Sequence, residues 1–284
     1  MYHHLTIFLT LTLTLLTTTL SQTLNIVAHQ DDDLLFLNPS IQHAIQSGLP
    51  TRTLFLTAGD AGQDPSYWNS RQSGSLTAYA QMANAANEWI VSDAGIANVP
   101  IPIYTLKHNP SISLGYLHLP DGGMDGNGYE STHYTSLQKL WEGRIGSIAT
   151  VEGTGASTTV YTKAKLVSVL RELINGFAPE RVNTLDFVGG FGGGDHPDHY
   201  ATGLFAERAA KAATTREIIS VEREVVGYMG YPVSEREANL EKRDLDFKRA
   251  VFYTYGAWDG VACSSAESCV GTQYESWLQR EYTV

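Results

Sequence analysis

The chain has few basic residues and lacks several common catalytic motifs. Its 284 residues include 19 Lys and Arg against 30 Asp and Glu, which gives a net charge of −11 at pH 7. Because nucleic acids and anionic membrane surfaces attract basic proteins, this balance argues against both as partners. The sequence contains no G-x-G-x-x-G dinucleotide fingerprint, no G-x-S-x-G nucleophile elbow and no H-E-x-x-H zinc motif. The candidate functional residues therefore lie in other clusters of polar residues.

Cysteine is also scarce. Cys263 and Cys269 are the only two cysteines, and they lie close together in the segment CSSAESC. In an oxidising compartment such a pair closes a small disulfide loop, whereas in a reducing compartment both side chains stay as free thiols. We expect the disulfide, with two free thiols as the alternative.

Residues 1–21 contain no Lys, Arg, Asp or Glu. Their apolar stretch is short for a membrane span and is diluted by Thr, and small residues before Gln22 offer a cleavage site. The segment predicts a secretory signal peptide and a secreted, extracellular protein with no stable membrane insertion after cleavage. An uncleaved anchor and a Thr-Leu strand are the alternatives, since the segment lacks the basic residues that usually open a signal peptide.

From residue 22 onward, segments typical of strands and helices alternate. The strand patterns cover residues 24–28, 52–56, 101–106, 113–119, 182–188 and 224–229. The helical patterns cover residues 39–47, 74–94, 136–145, 163–175 and 199–213, and a capping box of Ser234 and Glu237 predicts a last helix to about residue 253. This alternation predicts one α/β domain over residues 22–284, Rossmann-like, with a mostly parallel sheet flanked by helices.

Polar clusters follow two of the predicted strands. AHQDDD, residues 28–33, ends the first strand, and DHPDH, residues 195–199, follows the strand at 182–188. In open α/β sheets, ligands bind beyond the carboxyl ends of the strands. The fold is therefore expected to bring together the imidazoles and carboxylates of His29, Asp31, Asp32, His196 and His199.

Two imidazoles and one carboxylate form a donor set that suits zinc and leaves a position open for water. The metal lowers the pKa of that water, and a carboxylate outside the coordination shell then takes the proton. Adjacent acids in an extended segment point in different directions, so the three cannot all bind one ion. Taken singly, an Asp run is usually a solvated loop or a helix cap, and a lone His is usually structural. The conjunction of the two clusters favours the metal site.

The same motifs resemble a known family. AHQDDD is similar to the AHPDDE signature of the LmbE-like, PIG-L-type de-N-acetylases, and DHPDH matches the family's HPDH motif. TAGD at residues 57–60, followed by Arg71, resembles a third segment, and LPDGG at 119–123 resembles a fourth. The resemblance runs from about residue 24 to 205.

The resemblance implies an enzyme that removes the N-acetyl group from N-acetylglucosamine-type sugars or glycoconjugates, using a zinc-bound water. Zn²⁺ is the implied cofactor, with another divalent metal as the alternative, and the implied partner is an N-acetylated amino sugar or glycan. The implied metal ligands are His29, Asp32 and His199. The implied catalytic residues are Asp31, as general base, and His196, which polarises the carbonyl or protonates the leaving amine. Arg71 and Asp121 match positions associated with substrate binding.

Two residues depart from the family signature. Gln30 stands where the family has Pro, and Asp33 stands where it has Glu, so that Asp33 is expected to brace the loop or the following helix. These departures suggest a subgroup whose substrate differs. An amide hydrolase acting on another acylated small molecule is one alternative, and a non-catalytic, metal-organised carbohydrate-binding protein is another. Asp31 argues against the binding protein, which needs no base beside its metal.

Overall fold

A computed structural model describes residues 22–213 and 223–284 of the chain. The predicted signal peptide, residues 1–21, lies outside the described residues. In chain order, the strands of the main sheet are β1 Thr23–Val27, β2 Thr51–Thr57, β3 Trp89–Asp93, β4 Pro102–Leu106, β5 Ile112–Leu119, β8 Arg181–Leu185 and β9 Glu224–Tyr228. These seven strands lie in the order β3-β4-β5-β2-β1-β8-β9. The strands β5, β2, β1, β8 and β9 run parallel, and β4 pairs antiparallel with both β3 and β5.

A separate two-stranded hairpin is formed by β6, Ile148–Ala149, and β7, Val160–Tyr161. The α-helices are α1 Asp32–Phe36, α2 Ser40–Gln46, α3 Pro65–Met82, α4 Leu137–Glu142, α5 Lys163–Phe177, α6 Pro197–Ala212, α7 Lys242–Gly256, α8 Ala266–Cys269 and α9 Gln273–Trp277. Short 3₁₀ turns lie at Glu130–Thr132 and Tyr231–Glu235.

The sheet has an apolar core on each face. All five residues of β1 are buried, because helices cover both sides of the central strands. On one face, Phe55 and Tyr79 pack with Phe252 of α7, and on the other Ile26 packs with Leu170 and Phe205 of α5 and α6. This three-layer arrangement confirms the predicted α/β fold with a mostly parallel sheet.

The helix predicted over residues 74–94 is wrong in its position. The helix α3 begins at Pro65, where the Asp64 side chain accepts a hydrogen bond from the backbone N–H of Ser66. It ends before Asn84, whose φ is +49°. Residues 89–93 instead form the edge strand β3, because their aromatic and β-branched side chains pair with β4.

The capping box predicted at Ser234 is also wrong. Ser234 lies in the 3₁₀ turn Tyr231–Glu235, and its hydroxyl donates to the carbonyl of Tyr231. The long helix α7 starts only at Lys242. Pro232 fixes the backbone of the earlier turn, so the polar pair that resembles a cap belongs to a turn instead.

The predicted disulfide is confirmed. Cys263 and Cys269 are bonded, with their Cα atoms 5.1 Å apart. Among the described residues, no helix has the length and apolar character needed to cross a membrane.

Candidate active site

The two polar motifs meet at the centre of the sheet. β1 pairs in parallel with β2 on one side and with β8 on the other. From β1 the sheet is extended by β2 in one direction and by β8 in the other, so the boundary between β1 and β8 is the topological switch point of the sheet. The residues that follow these strands emerge at the same edge. The AHQDDD turn leads directly into α1, and the DHPDH segment forms the start of α6. All five residues expected at this edge lie there.

The three consecutive acids have three different surroundings. Asp32 and Asp33 are buried, whereas the side chain of Asp31 keeps 13% of its exposure. Asp31 occupies the N-cap position of α1 but makes no capping hydrogen bond. Asp33 accepts hydrogen bonds from the backbone N–H of Leu34 and from the hydroxyl of Tyr79, at 3.0 and 2.6 Å, and so braces α1 as expected. Asp31 is therefore the acid that solvent reaches.

Asp32 joins the two predicted histidine ligands. Its Oδ2 lies 3.3 Å from Nδ1 of His29 and accepts from the backbone N–H of His29 at 2.6 Å. Its Oδ1 lies 2.9 Å from Nε2 of His199. On the far side of that ring, Nδ1 of His199 is 2.8 Å from Oδ1 of Asp195. Asp195 therefore fixes the ring, and Nε2 of His199 faces the cluster.

Asp198, which the sequence analysis did not single out, also belongs to the cluster. Its Oδ2 lies 3.4 Å from Nε2 of His29 and accepts from the backbone N–H of Gly122 at 2.7 Å. Asp121 lies opposite, with its two carboxylate oxygens 3.7 Å from Nε2 of His29 and 3.8 Å from Nε2 of His196. The predicted substrate residue Asp121 thus sits beside the histidines.

The carboxylates and imidazoles of this cluster shift one another's pKa values. Burial works to lower the pKa of both histidines, but Asp32 and Asp121 hold the pKa of His29 well above its usual range. Asp32 and Asp195 likewise raise the pKa of His199 to about 10. Burial works to raise the pKa of Asp32, yet His199 and His29 hold it well below its usual value. The cluster therefore favours positive charge at its centre, and a divalent ion bound there would supply that charge in exchange for protons.

Buried atoms without hydrogen bonds indicate that an ion fits here. Within residues 22–213 and 223–284, Nε2 of His29, Nε2 of His199 and Oδ1 of Asp198 have no hydrogen-bond partner. The approach of His199 to Asp32 is short but is not aligned as a hydrogen bond. Such an arrangement is typical of side chains that share a cation. The set of imidazoles and carboxylates suits zinc.

His196 lies close enough to the cluster to be a metal ligand, but its ring nitrogen Nε2 carries a proton. It shares two groups of potential ligand atoms within 4.8 Å of one another, the first with His29 and His199, and the second with His29, Asp121 and Asp198. However, its Nδ1 accepts a hydrogen bond from the backbone N–H of Asp198 at 3.1 Å, so the ring proton lies on Nε2. Burial, together with the charge of His29, lowers the pKa of His196 to about 4. The neutral ring therefore presents a donor, not a lone pair, to the cluster.

Arg71, predicted to bind substrate, is held by the protein itself. Its Nη2 donates to Oδ1 of Asp31 at 2.8 Å, and its Nη1 donates to the carbonyl of Gly59 at 2.6 Å. Its Nε donates to the hydroxyl of Tyr255 at 2.8 Å and lies 2.9 Å from Oδ2 of Asp259. Every guanidinium nitrogen thus has a protein acceptor. Burial raises the pKa of Asp31, and the charge of Arg71 opposes that rise.

Several residues around the site carry no motif that the sequence analysis used. Tyr231 lies with its ring centroid 5.0 Å from that of His199 and stacks on Trp277 at 4.5 Å. These aromatic residues come from the last quarter of the chain, which has no diagnostic pattern. By contrast, Asp195 lies within the DHPDH motif just before α6, and its spacing of four residues from His199 is the signal that could have identified the pair.

Comparison with known proteins gives the family. A family model for GlcNAc-PI de-N-acetylases matches residues 24–210. No curated protein matches the chain. N,N'-diacetylchitobiose deacetylase from Pyrococcus horikoshii is similar in structure, with a TM-score of 0.50 and 12% identity over 91% of this chain and 75% of that one. At this identity the likeness shows a shared fold.

Two further solved structures resemble the chain more distantly. A conserved protein from Thermus thermophilus has a TM-score of 0.43 and 18% identity, over 83% of this chain and 78% of that one. The 4-carboxy-2-hydroxymuconate hydratase from Pseudomonas putida has a TM-score of 0.47 and 11% identity, over 90% and 82%. The family match spans about two thirds of the chain and includes both polar motifs. The chain therefore belongs to the GlcNAc-PI de-N-acetylase family.

Proposed function

We propose that the protein is a zinc-dependent hydrolase that removes the N-acetyl group from an N-acetylglucosamine-type sugar or glycoconjugate. Family membership supports the reaction class. The single observation that carries the proposal is the position of Asp31, a partly exposed carboxylate beside a buried cluster of imidazoles and carboxylates. A metal site that only organised a binding surface would need no carboxylate held in this position.

In this proposal, His29, Asp32 and His199 hold the ion. Asp32 contacts both histidines, and the tautomer of His196 removes that ring from the ligand set. When bound, the divalent ion supplies Lewis-acid chemistry that acidifies water and polarises an amide carbonyl. Another divalent metal with the same charge can fill this role, and the donor set favours zinc.

Asp31 is the proposed general base, which takes a proton from the attacking water. Its Oδ1 is fixed by the ion pair with Arg71, and the Arg71 guanidinium keeps the carboxylate pointing along one direction. A base held in one orientation needs less reorganisation when the proton moves. The other reading of Asp31, as a helix cap, has little support because its side chain makes no capping bond.

His196 is proposed to donate a hydrogen bond to the carbonyl oxygen of the amide. The backbone N–H of Asp198 occupies Nδ1, so Nε2 carries the proton that polarises the substrate. Of the two roles considered for His196, this tautomer favours polarisation of the carbonyl over protonation of the amine.

The surroundings of the site favour an uncharged sugar as substrate. Carboxylates of Asp31, Asp121, Asp198 and Asp259 lie at or beside the cluster, and Arg71 is paired with two of them. Anionic groups on a substrate would meet these carboxylates at close range. Tyr67 and Tyr129 are partly buried near the same carboxylates, and aromatic side chains of this kind are suited to stacking on a sugar.

Acetate release tests the proposal. The purified protein, loaded with zinc, is assayed against a panel of N-acetylglucosamine conjugates, chito-oligosaccharides and acylated non-sugar amides, with and without a chelator. We expect acetate from at least one sugar substrate and loss of that activity on chelation. Release only from non-sugar amides would support the alternative amide hydrolase, and binding without any release would support the carbohydrate-binding protein.

A further inference from the structure

The segment after residue 223 contributes to the site although the family match ends at residue 210. Tyr255 lies in the last turn of α7, and Asp259 follows that helix directly. Both side chains are buried, and both reach Arg71 across the layer between α7 and α3. No motif of the family covers either residue.

Tyr255 and Asp259 form a hydrogen-bond network with Nε of Arg71 in which each of the three groups contacts the other two. Nε of Arg71 donates to the hydroxyl of Tyr255 at 2.8 Å, and the same hydroxyl donates to Oδ2 of Asp259 at 2.6 Å. Oδ2 of Asp259 lies 2.9 Å from Nε of Arg71. Charge-assisted bonds of this kind are the strong ones among hydrogen bonds.

Asp259 is itself fixed by the backbone around it. Its Oδ1 accepts from the backbone N–H of Val261 at 2.9 Å, and more weakly from that of Ala262 at 3.4 Å. The next residue is Cys263, which is tied to Cys269 by the disulfide. The carboxylate therefore comes from a short, constrained turn, and its position does not depend on Arg71 alone.

We infer that Asp259 and Tyr255 are positioning residues for Asp31, acting through Arg71, an inference that rests on the proposed function. A free arginine side chain has several rotatable bonds, and freezing them costs conformational entropy. Asp259 and Tyr255 hold Nε, so Nη2 is already directed at Oδ1 of Asp31. The base is thus aligned by a part of the chain that lies beyond the family motifs.

Two conservative variants test this inference. Tyr255→Phe removes the hydroxyl that links Arg71 to Asp259 and keeps the ring. Asp259→Asn removes the negative charge and keeps the size of the side chain. Tyr253→Phe is the matched control, because Tyr253 lies on the same helix and makes none of these bonds. Each zinc-loaded protein is measured for metal content, thermal unfolding, kcat and KM, and for solvent exchange of the Arg71 Nε–H by ¹⁵N NMR, assigned with Arg71→Lys.

In the wild type and in Tyr253→Phe, we expect a slowly exchanging Arg71 Nε–H. In Tyr255→Phe and Asp259→Asn, that exchange accelerates at least about 10-fold, and kcat falls about 10- to 100-fold with KM changed far less, as expected for a misaligned reacting group. Metal content stays unchanged, since neither residue contacts the histidines. If Asp259→Asn does not fold, Tyr255→Phe decides alone.

Slow exchange and full kcat in a folded Tyr255→Phe protein would overturn the inference, and so would equal loss of kcat in the Tyr253→Phe control. Failure of the proposed function looks different. In that case the zinc-loaded wild type releases no acetate, while the exchange measurement still decides whether Tyr255 and Asp259 hold Arg71.

Discussion

At the scale of single residues, three neighbouring carboxylates have separate roles because the backbone turns between them. Asp31 precedes α1 and faces Arg71, Asp32 faces the histidines, and Asp33 points back to Tyr79. Burying three unpaired acids side by side would be costly. Each one is instead paired with a different group, and Asp32 in particular sits where a divalent cation offsets its charge.

The ligand assignment predicts which substitutions remove the metal. Asp32→Asn and His199→Ala should lower zinc content sharply, because each removes a proposed ligand. Asp31→Asn is the matched control, because it is the same substitution at the neighbouring acid, which is not a proposed ligand, and it should keep its zinc. Zinc per protein is measured by elemental analysis after gel filtration. Full occupancy in Asp32→Asn together with loss in Asp31→Asn would mean that the ligand set is wrong.

At the scale of elements, the sequence predicts the parts of the fold that carry strong local patterns. β1, β8 and α6 begin within one or two residues of their predicted starts, since an apolar β-branched run followed by Asp and His is distinctive, but β8 ends at Leu185, three residues before its predicted end. The site residues on these elements were found for the same reason. The site residues on and just after α3 and α7 were only partly predicted. Contacts such as that of Arg71 with Asp259 join residues 188 positions apart, and local sequence patterns do not report them.

The error in the helix predicted over residues 74–94 has a local cause. The Ala-rich run that starts at residue 74 favours a helix, but residues 89–93, WIVSD, carry aromatic and β-branched side chains and pair with β4. The prediction extended the helix across a segment whose local preference is for a strand. The start of α3 is marked by Asp64 as the N-cap and Pro65 as the first helical residue. Asp followed by Pro is a typical helix start, so the sequence does carry a signal for this boundary.

Close packing between the loop after β5 and the start of α6 predicts a sensitive glycine. A Cβ at Gly122 would lie 2.7 Å from Oδ1 of Asp198 and 2.9 Å from Cβ of Ser136. Gly122→Ala should therefore lower the free energy of unfolding by about 1–3 kcal/mol, as overpacking usually does. Gly146→Ala is the control, because a Cβ at Gly146 meets no atom within 4 Å. Denaturant titration measures both, and equal stability of the two variants would contradict the packing argument.

The buried lysine of α7 predicts a dependence of stability on pH. Nζ of Lys248 donates to the carbonyl of Arg280 at 2.7 Å, and burial lowers its pKa to about 7, although Glu281 opposes that shift. An unfolded lysine titrates near pH 10.4, so above pH 7 the unfolded state binds more protons than the folded state. The free energy of unfolding should therefore rise with pH from about 7 to 10, by roughly 1 kcal/mol per unit.

Lys248→Met isolates this contribution, because it removes the titrating group and keeps an unbranched side chain. The difference in unfolding free energy between wild type and variant should grow with pH over that window, and it should be flat below pH 7. Urea titrations at pH 6, 7, 8 and 9 measure it. Parallel pH profiles for the two proteins would show that Lys248 does not titrate as argued.

At the scale of the whole molecule, the Cys263–Cys269 disulfide is typical of proteins in oxidising compartments. We predict that the mature, secreted protein begins near Gln22 and carries the Cys263–Cys269 bond. N-terminal sequencing and intact mass before and after alkylation decide this prediction. Removing the bond in a Cys263→Ser, Cys269→Ser protein should cost about 2 kcal/mol of stability on the loop-entropy model. A retained leader, or two thiols that alkylate in the native protein, would contradict it.

The rate of acetate release by Asp31→Asn tests the central claim most directly, namely that Asp31 is the base of a metal-dependent deacetylase. Asn is nearly isosteric with Asp and Asp31 is not a proposed ligand, so the variant should fold and keep its zinc. Its kcat should fall at least about 10²- to 10⁴-fold, the usual contribution of general-base catalysis. KM should change less, because the lost interaction belongs mainly to the transition state. Near-normal acetate release by a zinc-loaded Asp31→Asn protein would contradict the account.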